Sequence, residues 1–254
     1  MLLSMALKFA LAIIFACTIF SSCEKSFEAT DTTAIENAII MSDGDPDSLV
    51  LVDASRDGGV WWFPQGGNFS ASAPHQGKAL ADYLRSKSFS VDELPRGAVI
   101  TWNVLRKYKK IIRAGGFGNY TTGEIASYDS ALLYSASILL LSDHLTNFPN
   151  DKLSQHLGLN FSGAHTAMLT PSSNHPITAG VNSLPYIAGS IIMNPDPARM
   201  TILGYVGKST TQPGYAAMGI LHHSKAKVFF IGDANGIEQV PQPFTNNLMQ
   251  WLFQ

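Results

Sequence analysis

The chain has 254 residues, 46% of them apolar and only 14% charged, which is enough apolar material for one large domain or two small ones and excludes a disordered polyelectrolyte. Seventeen Lys and Arg stand against 19 Asp and Glu, for a formal charge of -2 and a pI near 6.4, so the broad basic surplus that binds phosphate backbones is missing and no nucleic-acid partner is expected. Both cysteines, Cys17 and Cys23, lie in the first 23 residues, so no later segment can form a disulfide or present a thiolate.

Met1 to Lys8 is a short start with one positive charge, and Phe9 to Phe20 is an apolar run of signal-peptide length, short for a membrane span. It ends in Phe20-Ser21-Ser22-Cys23, which resembles a bacterial lipobox, with Phe20 where leucine is usual. The expectation is a lipoprotein signal peptide over 1-22 and a lipidated Cys23; the alternative is an ordinary signal peptide cut nearby. Removing 1-22 takes away Lys8 and no acid, leaving 16 basic against 19 acidic groups, a charge of -3. Residues 23-46, rich in Thr, Ser, Asp and Glu, read as a tether, and 47-254 as the folded domain. The string Asp43 to Asp47 lacks the Glu that completes an EF-hand loop and is read as a turn with solvated charges.

Ser48 to Asp53 is a nearly continuous apolar run ending in a charge, the pattern of a parallel strand buried on both faces. Gln76 to Lys87 follows as a helix, with Ala79, Leu80, Tyr83 and Leu84 at helical spacing. A strand over Phe89 to Leu94, a short helix over Thr101 to Lys107 and a strand over Tyr108 to Ala114 come next. Then follow a helix from Thr122 to Leu133 and the strand Ser137 to Leu141. After Gly163 the texture shortens, with strands over Ile187 to Ile192, Thr201 to Val206, Ala216 to Leu221 and Val228 to Ile231, partly antiparallel. Pro243 opens a closing amphipathic helix through Phe244, Leu248, Trp251 and Leu252. Alternation of strands and helices predicts an α/β fold: a mainly parallel flavodoxin-like sheet with helices on both faces and added antiparallel strands in the C-terminal third. Ligands in such sheets bind at the carboxyl ends of the strands, so the tips Asp53 to Gly59, Gly115 to Tyr120, Ser142 to His144 and Asp233 to Glu238 are expected to gather on one edge.

Together, Leu49 to Asp57, Lys110 to Gly118, Leu139 to Leu145 and Val228 to Glu238 resemble the class I glutamine amidotransferase-like fold over about residues 47-254. The likeness rests on strand order and the placement of polar tips. It extends to amidotransferase-like domains of secreted bacterial proteins and, more distantly, to the domain shared by gliding-motility and intraflagellar-transport proteins, for which sugar binding has been proposed. Catalytic members carry a cysteine on the turn after a strand, activated by a histidine and an acid. Here that turn is Leu141-Ser142-Asp143-His144 and the late strand leads to Asp233-Ala234-Asn235-Gly236-Ile237-Glu238, without thiol or histidine. Cysteine-dependent glutaminase chemistry is excluded by composition.

Other chemistry is weakly marked. No Gly-x-Ser-x-Gly string occurs, and Ser142, Asp143 and His144, as chain neighbours, are expected to point apart. Gly204 to Ser209 is two residues short of a phosphate loop and reads as a glycine-broken strand end. The seven histidines, at 75, 144, 156, 165, 175, 222 and 223, lack HExxH spacing, and His222-His223 would point to opposite faces of a strand, so neither metal nor cofactor is expected. Gly115 to Gly118 is a tight turn or an anion-binding nest, with Arg113 and Arg56 as charge donors. Trp61, Trp62 and Phe63 lie in a glycine-rich loop and serve either stacking or packing.

The expectation that follows is a lipid-anchored, non-catalytic domain of the bacterial cell envelope, periplasmic or surface-facing. It binds a glycan or other small ligand, or an envelope protein, through Asp53, Arg56, Asp57, Trp61, Trp62, Gly116, Asp143, His144, Asp233, Asn235 and Glu238. The rival is a carbohydrate hydrolase with Asp143 or Glu238 as general acid or base and His144 assisting; a third reading is a structural partner in an envelope complex.

Overall fold

The computed structural model describes residues 45-57, 77-144, 151-172, 174-238 and 243-254. The expectations for the signal peptide, Cys23, residues 24-44, Trp61 and Trp62 lie outside the described residues, as does the side chain of Glu238.

Nine strands form one sheet: β1 (Leu49–Asp53), β2 (Ser90–Leu94), β3 (Lys110–Ala114), β4 (Ser137–Leu141), β5 (Phe161–Pro171), β6 (Leu184–Ile192), β7 (Met200–Val206), β8 (Tyr215–Leu221) and β9 (Val228–Ile231), in the order β2-β1-β3-β4-β9-β8-β7-β5-β6. The first five in that order are parallel, which is the doubly wound 2-1-3-4-5 arrangement with β9 in fifth place. The remaining pairings, from β9-β8 to β5-β6, are antiparallel. The helices are α1 (Lys78–Ser86), α2 (Trp102–Leu105), α3 (Thr122–Leu133), α4 (Lys152–His156), α5 (Asn235–Glu238) and α6 (Phe244–Phe253).

Strands buried on both faces account for the continuous apolar runs. Val50, Val52, Ile112 and Leu139 pack with α1, α5 and α6, while Leu49, Leu51, Ile111 and Ile138 pack with α2, α3 and α4. Ile138 to Leu141 are all fully buried, each such side chain stabilising the fold by about 1.5-3 kcal/mol. Helix α3 starts where Thr121 and Glu124 form a capping box, and α4 where Asp151 accepts the Ser154 N–H at 3.1 Å.

Several expectations are corrected. The strand read from Tyr108 starts at Lys110, because the Tyr108 N–H closes a turn onto the Leu105 carbonyl. The strand read from Phe89 starts at Ser90, because the Phe89 N–H returns to Leu84 behind Ser88 at φ 67°. His222 and His223 stand in the turn beyond β8: His222 lies between Thr201 Oγ1 and the Ala198 carbonyl, and His223 Nδ1 accepts the N–H groups of Lys225 and Ala226. Strand β5 and helix α4 were not anticipated. In β5, small residues such as Ser162, Gly163 and Ala164, with register shifts on both sides of His165, break the alternation that marks a half-buried strand.

Candidate functional site at the carboxyl ends of the parallel strands

Backbone hydrogen bonds bring the strand tips into one row. Phe117 N–H donates to the Arg56 carbonyl (2.8 Å), Gly115 N–H to Leu141 (3.1 Å) and Ser142 N–H to Ile231 (2.9 Å). Strand β6 then crosses this edge: Ser190 N–H donates to the Gly232 carbonyl at 2.7 Å, and Ser190 Oγ to Ser142 Oγ at 3.1 Å. Asp53, Arg56, Asp57, Gly116, Asp143, His144, Asp233 and Asn235 are thus neighbours along one edge, and α5 carries the backbone of Glu238 to the same side.

Most of their polar groups are occupied within the fold. The fully buried Asp53 turns the chain by accepting Ser55 N–H (2.9 Å) through Oδ1, and its Oδ2 accepts the hydroxyls of Tyr120 (2.9 Å) and Tyr128 (2.6 Å). Burial and then the Asp53 charge push both phenols far above their ordinary pKa, so they remain donors. In register beside Asp53 stands Arg113, fully buried and bound to Asp151 (2.7 Å) and Ser154 (2.8 Å). Arg56 donates to Glu124 (2.8 Å) and to the carbonyls of Ala98 (3.0 Å) and Asn119 (3.2 Å). Burial pushes the Glu124 carboxyl up, but the N–H groups of Thr121 and Ile100 and the charge of Arg56 outweigh it and hold the carboxyl below its ordinary value. Asp57 is buried with the Arg96 guanidinium at 3.8 Å.

The anion-nest expectation loses both charge donors and two of its N–H groups. Both arginines are paired with carboxylates, and the N–H groups of Gly115 and Phe117 are bonded to carbonyls. Gly116 is required for a different reason: a Cβ there would lie 2.5 Å from the Asp151 carboxyl carbon and against the Arg113 guanidinium, so the bare backbone is what lets the loop close over the buried ion pair.

The Ser142-Asp143-His144 turn divides. Ser142 is fully buried and bonded to Ser190, so its hydroxyl cannot attack a ligand in the crevice. Contrary to expectation, Asp143 and His144 do meet: Asp143 Oδ1 accepts the His144 N–H at 2.7 Å and lies 3.3 Å from Nδ1. Burial raises the Asp143 carboxyl above its ordinary value, against the opposing pull of the His144 N–H and ring. His144, its side chain 36% exposed, sets its ring 5.3 Å from that of Phe117. This edge thus holds together a buried carboxyl with a raised pKa, an imidazole at the surface and an aromatic ring. Asp233, fully buried, accepts the N–H groups of Asn235 (2.9 Å) and of Ile187 in β6.

The residues not anticipated are Phe117 as a ring partner, Tyr120, Tyr128, Glu124, Asp151, Tyr186 and Ser190. Two signals were present: Thr121-x-x-Glu124 is a capping box, and Asp53-Ala54-Ser55 and Asp233-Ala234-Asn235 share the pattern in which an aspartate bonds the backbone two residues on. Among the described residues no three His, Cys, Asp or Glu side chains gather as a metal site, and no helix is long and apolar enough to cross a membrane.

No family model and no curated protein matches the sequence. Solved structures do. The mmIFT52 N-terminal domain is similar at a TM-score of 0.60 and 16% identity, covering 82% of this chain and 96% of that one. A putative ThuA-like protein from Bacteroides uniformis is similar at 0.53 and 14%, covering 84% and 92%. A β-galactosidase from Bacillus circulans is similar at 0.51 and 13%, covering 82% of this chain and 32% of that one. At these identities the likeness concerns the fold: the chain has the class I glutamine amidotransferase-like, ThuA-like architecture.

Proposed function

We propose that this chain is a lipid-anchored domain of the bacterial cell envelope that binds a small hydroxylated ligand, a glycan by class, at the Asp143-His144-Phe117 end of the strand-tip edge, without catalysing a reaction. The observation that carries this reading is the state of the turn after β4, where catalytic members of the fold hold a thiol. Its first residue, Ser142, is buried and bonded to Ser190, while the next two offer a carboxyl and an imidazole beside an aromatic ring. Such a set suits hydroxyl groups and the apolar face of a sugar ring. Arg56 and Arg113, each paired with a carboxylate, favour an uncharged ligand over an anionic one. A thermal-shift screen over sugars, nucleotides and metal ions, with His144→Ala alongside, tests it: a neutral sugar should raise the melting temperature of the parent and not of the variant. Absence of a shift with every ligand refutes binding and leaves the structural-partner reading.

One observation favours a second reading, hydrolysis with general acid catalysis. Asp143 has the raised pKa of a proton donor, with His144 beside it. If a glycoside that binds is also cleaved, and Asp143→Asn abolishes cleavage while binding persists, this reading replaces the first. Anchoring rests on Cys23 and is tested separately: the parent should incorporate labelled palmitate and Cys23→Ala should not.

A further inference from the structure

The opposite edge of the sheet, at the amino ends of the parallel strands, has a different character. There a cavity of about 450 Å³ is lined by Asp47, Lys109, Lys110, Lys225 and Lys227, and a neighbouring one of about 490 Å³ by Lys87; the two meet at Gln254. Lys87, Lys109, Lys225 and Lys227 are exposed, while Lys110 is buried with its Nζ on the Asp47 carbonyl. Lys109 is paired with Asp47 at 2.7 Å; among the described residues no carboxylate lies within 4.0 Å of Lys87, Lys225 or Lys227. Two rings flank the row, Tyr83 under Lys87 (5.5 Å) and Trp251 under Lys227 (5.8 Å). Asp45 and Asp47 are the acids that face the group, and Asp45 acts on Lys109 and Lys110 through its charge.

This surplus of cations runs against the charge of the whole, which is -3 once residues 1-22 are removed. The strand-tip edge carries Asp53, Asp57, Glu124, Asp143, Asp151 and Asp233 against Arg56, Arg96 and Arg113, an excess of carboxylates, so the domain is polarised along its strands. The chain also enters β1 at the basic edge, through Asp45 to Ser48. We propose that this edge docks on an anionic phospholipid surface, with headgroup phosphates against Lys87, Lys109, Lys225 and Lys227, so that the strand-tip edge faces away from the membrane. The inference rests on the reading of Cys23 as a lipid anchor: with the chain between Cys23 and β1 joining the domain at this edge, the lysines need to supply orientation and not the whole affinity. Amphipathic rings such as Tyr83 and Trp251 suit the headgroup level.

The test uses the full chain carrying Cys23→Ala, so that acylation contributes nothing, and measures cosedimentation with phosphatidylglycerol-phosphatidylcholine vesicles against phosphatidylcholine vesicles at low salt. The ratio of the two reads the basic edge, since the apolar first residues partition into both. The expected result is a preference for anionic vesicles that falls with salt and drops about 25-fold in Lys87→Gln/Lys225→Gln, about fivefold per lysine. The pair Lys78→Gln/Lys208→Gln, away from this edge, with Lys208 exposed and Lys78 half-buried and paired with Asp82, should leave it unchanged. No preference, or an equal loss in the second pair, overturns the proposal. So does full competition by inorganic phosphate at matched phosphate concentration, which would make the edge a site for soluble anions. Palmitate labelling of the parent separates the two readings: label without anionic preference keeps the anchor and removes the docking edge, and preference without label does the reverse.

Discussion

Replacing Gly232 by alanine should detach β6 from the strand-tip edge. The new Cβ would lie within 2.9 Å of the Ser190 carbonyl carbon, closer to its oxygen, and against the Tyr186 hydroxyl. Because the obstacle is backbone, no rotamer change relieves it, and β6 must withdraw by about an ångström to restore van der Waals contact. That movement breaks Ser190 N–H to Gly232 O (2.7 Å) and Ser190 Oγ to Ser142 Oγ (3.1 Å), and strains the Ile187 bond to Asp233. Two to three hydrogen bonds at about 1 kcal/mol each, plus about 1-3 kcal/mol for overpacking, give a loss of about 3-6 kcal/mol. A domain with about 5-15 kcal/mol of total stability would lose a large share of it. Urea unfolding followed by tryptophan fluorescence reads the effect as a lower midpoint at similar slope, with Ser190→Ala, which removes only the hydroxyl shared between Ser142 Oγ and the Gly232 carbonyl, losing about 1 kcal/mol as a reference. A loss in Gly232→Ala no larger than that of Ser190→Ala would refute the placement of β6 across this edge.

Two further outcomes follow from the same edge. Burial raises the Asp143 carboxyl in the folded state, so the native protein holds a proton that the unfolded chain has released; stability from this group is full below the unfolded pKa of about 3.9 and is lost as pH rises through the folded value. Asp143→Asn should therefore be more stable than the parent at pH 7, with the difference vanishing below pH 4, in urea titrations at both; a difference independent of pH would refute it. Asp151→Asn leaves the fully buried Arg113 without its counter-ion and should cost about 3-5 kcal/mol, while Arg113→Met/Asp151→Leu should recover most of the loss, read by thermal unfolding. An equal loss in single and double variants would show that the ion pair is not what fails.

Much of the frame was legible because it depends on local chemistry. The strands Ser137–Leu141 and Val228–Ile231 and the helix Thr122–Leu133 are found at the expected limits, and the closing helix starts at Phe244, one residue after the expected Pro243, since each combines a strong apolar pattern with a clear start or stop. Strand β5 escaped because a half-buried strand with bulges has neither a continuous apolar run nor an even alternation. The tips of β1, β3, β4 and β9 were correctly expected on one edge, which follows from the parallel order alone.

The roles of the charged residues at that edge were not legible in the same way. An aspartate at a strand tip reads alike whether it turns its own backbone, as Asp53 and Asp233 do, or is buried beneath a partner at the surface, as Asp143 is beside His144. An arginine reads alike whether it awaits an anion or, like Arg113, is already neutralised by a carboxylate 38 positions away. The amino-acid sequence by itself determined the alternation of buried strands and helices and, through two cysteines confined to the first 23 residues, the absence of a thiol from the folded region. Only the tertiary structure decided which polar groups are spent inside the fold and that β6 lies over the tips of β4 and β9, because those outcomes depend on contacts between segments far apart in the chain, where solvent access and pairing are settled together.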